Sequence, residues 1–412
     1  MTHNTSANLK KLFDEVLASH TSPYVKEEQK RTQELLAKIR MLLKKHGVSA
    51  TVMLGGSAAK GTALGDDFDV DIFVQFNFNK YKDQDISAIL QKTLKPLKPH
   101  VVHGSRDYLQ INKRYEIIPV LKVKHAVDAI NITDASPFHA VWVKQKLKER
   151  DVRDDIRLFK LFLKSAGIYG AESYIKGISG HVNDILIIYY GSFLKAIKAI
   201  TKWKDETVID VEKHKSLRII DLAKREGPLV VIDPIVPSRN AAAAVGRKAY
   251  NLLRKRATAF LKNPSLDYFI QTTLTLKRVE TCKSTYSITL TVTVPEGKVD
   301  IVGAKLLKGF EYVCHELREF GIQKADWFWD KKALCIYCIT PKKKTLSPTF
   351  EHTGPLITQT AHVAAFRKKY PQAIVKGDRY IATVTRPYPN IADKIKQLKR
   401  SAYLKERGII LR

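Results

Sequence analysis

Two aspartates at alternate positions, Asp69 and Asp71, open the run Asp69-Val70-Asp71-Ile72-Phe73-Val74-Gln75-Phe76. The alternation predicts a strand that sends Val70, Ile72, Val74 and Phe76 to one face and both carboxylates to the other, their side chains roughly 6 to 7 Å apart by strand rise. Such a pair can hold two Mg²⁺ ions about 3.5 to 4 Å apart, the arrangement that supports displacement at phosphorus. Upstream, Gly55-Gly56-Ser57 turns the chain into a short helical segment containing Lys60. Glycines there let a triphosphate approach backbone N–H groups at a helix start, where the dipole also favours anions. Either half alone is an ordinary turn or a solvated strand face. The two in this order, with Lys60 between them, point to phosphate handling.

The elements that must position these groups can be traced from hydrophobic spacing. Two helices are expected before Gly47, on Leu9, Leu12, Phe13, Val16, Leu17 and then Leu35, Leu36, Ile39, Leu42, Leu43. A strand on Val48, Ala50, Val52 and Leu54 leads into the glycines. After the aspartate strand come a helix over Ile86–Leu94 and two strands, 107–111 and 114–123, joined by an Asn112-Lys113 turn. From Asp154 the texture becomes helical: Asp154 or Asp155 is expected to cap a helix reaching Gly167, a long apolar helix follows over 182–200, and a short strand at 229–232 leads through a rigid Asp233-Pro234 to Pro237 turn. That turn delivers Arg239 and Asn240 to the start of a helix expected over 241–261. Beyond Asn263-Pro264, strands at 268–276, 286–294, near Trp327 and at 334–339 flank a helix at 301–320, an order frequent in RNA-binding sheets. The last residues add a helix at 360–369, a strand at 373–384 and a basic helix at 391–405. The division expected is 1–135, a catalytic head; 136–262, a helical neck and central domain; 263–345, a sheet-and-helix body; and 346–412, a tail. The fold class is α+β.

Composition narrows the partner. Lys and Arg number 71 against 41 Asp and Glu, a formal charge of +30 in 412 residues, spread along the length and pointing to a polyanion. The most apolar stretch, Ile185 to Ile200, is broken by Gly191, Ser192, Lys195 and Lys198, so no membrane span is expected. The first ten residues show no export or anchoring pattern, and a cytoplasmic location is expected. Four cysteines are too few for a disulfide framework. Cys335 and Cys338 form one C-x-x-C, but Leu334 to Ile339 reads as a buried strand, and with no second pair zinc is not expected.

Glycine-serine, a short helix and two carboxylates on a strand resemble the signature of the DNA polymerase β nucleotidyltransferase superfamily. Further motifs sharpen this: Ser136-Pro137-Phe138-His139, Arg157-Leu158-Phe159-Lys160, Ala166-Gly167-Ile168-Tyr169-Gly170-Ala171-Glu172, Gly191-Ser192-Phe193, and Asp233-Pro234 with Arg239-Asn240. Over about residues 1–260 the chain resembles the archaeal class I CCA-adding enzymes. The rest is similar more loosely, mainly at His352-Thr353-Gly354-Pro355.

The resemblance implies a polymerase-β-like head, a helical neck and body, and an α+β tail. It also implies template-independent addition of C, C and A to the 3′ end of tRNA from CTP and ATP, with release of pyrophosphate. It places Asp69 and Asp71 on two Mg²⁺ ions, Gly56, Ser57 and Lys60 at the triphosphate, and His139, Lys160 and Tyr169 at the incoming nucleotide. Arg239 and Asn240 match the base-reading pair, whose donors and acceptor suit cytosine or adenine better than guanine. Unaided, Lys160 reads as a solvated helix position like Lys164, Tyr169 and His139 as structural, and Asn240 as a helix cap. One departure stands out: where the family's third carboxylate is usually an aspartate, Arg114-Tyr115-Glu116-Ile117-Ile118-Pro119 supplies Glu116, longer by one methylene. Glutamate remains a hard oxygen ligand, but misplacement near 1 Å can cost about 100-fold in rate. The partner implied is tRNA, gripped along its acceptor stem and T-arm by shape and phosphate contacts; homodimerisation is left open. Competing readings are a poly(A) or uridylyl polymerase on the same carboxylates, and a non-catalytic RNA-binding relative.

Overall fold

A computed structural model describes residues 2–20, 24–65, 69–270 and 287–412. The chain forms two compact units that divide near residue 272.

In the first unit, helices α1 (Thr2–Ala18) and α2 (Tyr24–Lys45) precede β1 (Ala50–Leu54), α3 (Gly56–Lys60), β2 (Val70–Asn77), α4 (Phe78–Tyr81) and α5 (Ile86–Thr93). Strands β3 (His100–Val102), β4 (Tyr108–Ile111) and β5 (Tyr115–Lys122) complete a five-stranded sheet of order β1-β2-β5-β4-β3. Val70, Ile72, Val74 and Phe76 are fully buried, as the alternation requires, against a core that includes Leu36, Ile39, Leu42 and Leu43 of α2 and Leu90 of α5. Asn112 and Lys113 both take positive φ, 53° and 55°, which fits the two-residue hairpin that joins β4 to β5.

The helical part comprises α6 (Ser136–Glu149), α7 (Arg153–Ser165), α8 (Gly180–Tyr190), α9 (Phe193–Ile200) and the helix Arg247–Lys262, with a two-stranded parallel sheet of β6 (Thr207–Ile209) and β7 (Leu229–Val231). Its core absorbs α1: the Phe13 ring lies 5.4 Å from that of Phe193 and 6.2 Å from that of Phe269. The head thus lacks its expected first helix. An amphipathic pattern shows that a face is buried without showing against what.

Several expected elements are interrupted. The apolar helix over 182–200 is two helices, because Gly191 takes φ 80° and Ser192 caps α9 by accepting the Lys195 N–H. Asp154 and Asp155 do not cap α7; Asp155 instead accepts the Phe193 N–H at the start of α9, at 2.7 Å. The helix expected from 241 begins at Arg247, with Gly246 preceding it and tied to the Lys176 carbonyl at 2.8 Å. Residues 241–245 form turns.

In the second unit, β8 (Ile288–Val292), β9 (Ile322–Trp329) and β10 (Cys335–Pro341) form an antiparallel sheet of order β8-β10-β9 beside the helix Val299–Glu316. Cys335 and Cys338 are both buried in β10. The expected strand over 268–276 lies mostly outside the described residues, as does Cys282; residues 266–268 form a 3₁₀ turn. A second sheet, β11-β13-β12, is built from β11 (Thr349–Leu356), β12 (Ile374–Lys376) and β13 (Arg379–Thr385). The strand expected over 373–384 is therefore a hairpin, turned at Gly377 with φ 65°. The terminal helix is also broken, into Ile391–Lys399 and Ala402–Lys405, and it returns to the first sheet: Ile391, Leu398, Leu404, Ile409 and Leu411 share a core with Leu290, Val292 and Leu306. The expected boundary at 345/346 is crossed by this return. No helix among the described residues is long and apolar enough to cross a membrane.

Candidate active site

Parallel pairing of β2 with β5 sets Asp71 directly beside Glu116. Asp69 precedes β2 on the carboxylate side and is exposed. Burial first, and then the neighbouring carboxylates, push the Glu116 pKa up to about 7. Burial and the Asp69 charge raise Asp71 to about 6 against the opposing pull of Lys60 and Lys160. Three repelling carboxylates on adjoining strand positions fit a hard divalent cation, whose charge relieves the repulsion and whose preferred ligands are oxygens. The longer Glu116 side chain is tethered by hydrogen bonds from Tyr108 and Gln110 of β4, Gln110 being its cross-strand neighbour. Those two donors give the extra methylene a fixed course.

The glycine turn is pressed against this cluster. The Gly55 N–H donates to the Asp71 carbonyl at 2.8 Å, and Gly56 takes φ 55° with its α-carbon facing the Asp71 carboxylate. From the helical side, α7 grips the end of α3: Arg153 Nε donates to the Lys60 carbonyl at 3.2 Å and Arg157 Nε to the Ala63 carbonyl at 3.3 Å. One turn beyond Arg157, Lys160 is buried, unlike a solvated position, and its Nζ lies 5.5 Å from the Tyr169 ring centroid. Tyr169 is held above its usual pKa by burial and by Asp184, Glu172 and Asp71. Lys60 Nζ is 2.5 Å from Asp184 Oδ2 on α8.

A second cluster lies one helical turn along α8, at His181. Asp233 is completely buried and accepts from His139 Nε2 at 2.9 Å and from Arg239 Nη1 at 3.0 Å. His181 Nε2 is 3.6 Å from the same carboxylate. Asn240 stands apart from the other expected residues. It is buried, its Oδ1 accepts the Val231 and Ala242 N–H groups at 2.9 Å each, and its Nδ2 donates to the Lys224 carbonyl at 2.8 Å. That side chain holds the loop that carries Arg239; it neither starts a helix nor presents free donors.

The structure therefore brings Gly56, Lys60, Asp69, Asp71, Glu116, Lys160 and Tyr169 together, and places His139 and Arg239 on Asp233. Sequence reasoning missed Asp184, His181 and Asp233 as partners. The Asp233-Pro234 motif contained the last of these, while no motif singled out Asp184 or His181.

Head sheet, glycine turn and paired carboxylates define a nucleotidyltransferase. Residues 36–140 match the family described as nucleotidyltransferase domain, 154–270 the second domain of tRNA nucleotidyltransferase, and 283–405 the C-terminal domain of the CCA-adding enzyme. The poly(U) polymerase Cid1, solved with its short product ApU, is similar in fold, with TM-score 0.51 at 14% identity over 63% of this chain and 95% of that one. The CCA-adding enzyme of Nanoarchaeum equitans is 36% identical, covering 78% of this chain and 83% of the relative, and that of Pyrobaculum aerophilum 33%, covering 85% and 83%. The chain belongs to the CCA-adding enzyme family.

The raised Glu116 pKa has a measurable consequence. In metal-free protein an unfolded glutamate, near 4.5, loses its proton before the folded one, near 7, so this group's contribution to stability falls as pH rises through that window. Glu116→Gln is expected to melt higher than the parent protein in EDTA at pH 8, with the difference shrinking towards pH 5, yet to transfer nucleotide poorly. Glu116→Asp is expected to keep measurable activity. A Gln variant as active as the Asp variant would remove Glu116 from the metal set.

Proposed function

We propose that this chain adds C, C and A in turn to the 3′ end of tRNA, using CTP and ATP and releasing pyrophosphate. The observation that carries this reading is the Asp71–Glu116 register pair beside the Gly55-Gly56-Ser57 turn, in a chain of the CCA-adding family. Asp69, Asp71 and Glu116 hold the divalent cations. Bound there, two Mg²⁺ ions would neutralise developing charge on the triphosphate and lower the pKa of the RNA 3′ hydroxyl. Backbone N–H groups at Gly56 and Ser57 cradle the phosphates from the start of α3, and Lys60 and Lys160 supply point charges to them. Lys60 exchanges Asp184 for phosphate when the nucleotide enters. Tyr169, kept protonated by burial, donates its hydroxyl to the same groups. His139 seats the nucleotide and Arg239 reads its base, while Asn240 fixes the loop.

tRNA is the partner this reading supplies, engaged along the acceptor stem and T-arm. A duplex offers phosphates and 2′-hydroxyls more readily than base edges, which suits a surplus of thirty positive charges over the chain.

The deciding experiment supplies a tRNA ending at its discriminator base with all four nucleoside triphosphates and sequences what is added. A C-C-A product is expected. Tails of A or U would establish the poly(A) or uridylyl reading, and no incorporation would establish a non-catalytic RNA-binding protein.

A further inference from the structure

Asp233 is a buried carboxylate that no metal chemistry on β2 and β5 uses. Its Oδ1 accepts the backbone N–H groups of Ile235 and Val236 at 2.9 and 3.1 Å, closing the turn after Asp233-Pro234. Its Oδ2 accepts Arg239 Nη1 at 3.0 Å. His139 Nε2 stands 2.9 and 3.1 Å from the two oxygens. A carboxylate only accepts, so this histidine carries its proton on Nε2. The His181 ring centroid lies 4.2 Å from that of His139 with the two planes tilted by 51°, and its own Nε2, 3.6 Å from the carboxylate, is beyond hydrogen-bonding distance. Burial opposes ionisation of Asp233, but the His139 hydrogen bond and the closeness of both imidazoles outweigh it and hold the pKa well below the usual carboxylate range. One fixed anion is therefore shared by α6, through His139, and by the loop bearing Arg239.

The geometry points to Asp233 as the positioning residue that locks Arg239 and His139 into one mutual arrangement, so that base selection depends on a carboxylate that touches neither base nor phosphate. This rests on the reading of Arg239 and His139 as nucleotide contacts. An arginine fork discriminates between bases only while its donors are aimed, and this side chain is over a third exposed, at 37%. With Oδ2 removed it would sample other rotamers. His139, Asp233 and His181 also present three ligand atoms within 4.8 Å, a set with the chemistry of a zinc site. The Arg239 cation on Oδ2 and the His139 proton directed at the carboxylate favour a hydrogen-bonded hub instead.

The test uses Asp233→Asn. Asparagine keeps one oxygen for the Ile235 and Val236 N–H groups but turns an NH₂ towards Arg239, donor against donor, so the turn survives and the arginine is released. The readout is the ratio of kcat/KM for CTP to that for UTP on a tRNA lacking its CCA end. Asp233→Asn, Arg239→Ala and the double variant are expected to lose this discrimination alike, by about tenfold, because one residue acts through the other. If Arg239→Ala lowers it while Asp233→Asn does not, or if the two effects multiply, the positioning role is overturned and base reading by Arg239 stands. If neither variant changes it, base reading itself fails. Should Asp233→Asn not fold, melting of the nucleotide-free protein in a His139→Ala and Arg239→Ala cycle decides: non-additive shifts are expected through the shared carboxylate, and additive shifts overturn the hub. One equivalent of zinc retained after dialysis, and lost in His181→Gln, would overturn it in favour of a metal site.

Discussion

Asp71→Asn is expected to lower nucleotide incorporation by more than about 100-fold while leaving RNA affinity within about threefold. The carboxylate is half of the Asp71–Glu116 register pair, which on the proposed reading holds the cation between neighbouring strands. Asparagine preserves the size and the surrounding core, because Val70 and Ile72 on the opposite face are untouched. It removes one negative charge and turns a donor towards the metal position. On the proposed reading RNA binding depends instead on basic charge distributed along the chain, so filter binding to tRNA should barely change. Asp69→Asn is expected to behave in the same way. Incorporation near the parental rate in both variants would show that the metal ligands lie elsewhere, and the assignment of Glu116 would fall with them.

The carboxylate face was legible because strand alternation is a local rule. Four apolar residues at every second position leave Asp69 and Asp71 no other side on which to lie, and Val70, Ile72, Val74 and Phe76 are buried accordingly. The glycine turn and the Asn112-Lys113 hairpin were legible for the same reason, since both rest on backbone conformations that few residues adopt. Pairings made across the chain were not. Lys60 and Asp184 are 124 positions apart, and His139 and Asp233 are 94 apart; no periodicity links them, and only the docking of α8 and the 233–239 loop brings them together. Lys160 illustrates the middle case: a lysine three positions after Arg157 reads as solvated until Arg153 and Arg157 are seen to turn that face of α7 onto α3. Asn240 failed differently. Asparagine before a run of alanines has the composition of a helix cap, but Gly246 is tied to Lys176, the helix starts there, and the amide is drawn into the loop's own backbone hydrogen bonds.

Gly56→Ala is the severest test of how closely turn and metal site are built. At φ 55° a non-glycine residue is strained, and a methyl group on this α-carbon would overlap the Asp71 carboxylate and meet its Cβ at 3.2 Å. The backbones on both sides are held in place. Asp71 lies on a strand paired on both sides, with β1 and β5, and Gly55 is bonded to the Asp71 carbonyl, which fixes the turn against that strand. The methyl group must therefore swing the carboxylate away from Glu116 or lift α3 away from β2, and either displacement exceeds the roughly 1 Å that costs about 100-fold in rate. Loss of transfer by at least about 100-fold is expected, with weaker CTP binding, because on the proposed reading the same residue offers its backbone N–H to the triphosphate. Gly47→Ala is the control. It has the same kind of backbone conformation, φ 63°, but no atom within 4 Å of the added methyl, so it should lose some stability and keep its activity. Circular-dichroism melting and single-turnover incorporation on both variants separate the two effects. Equal rates for Gly56→Ala and Gly47→Ala would mean that the contact with Asp71 is without catalytic consequence.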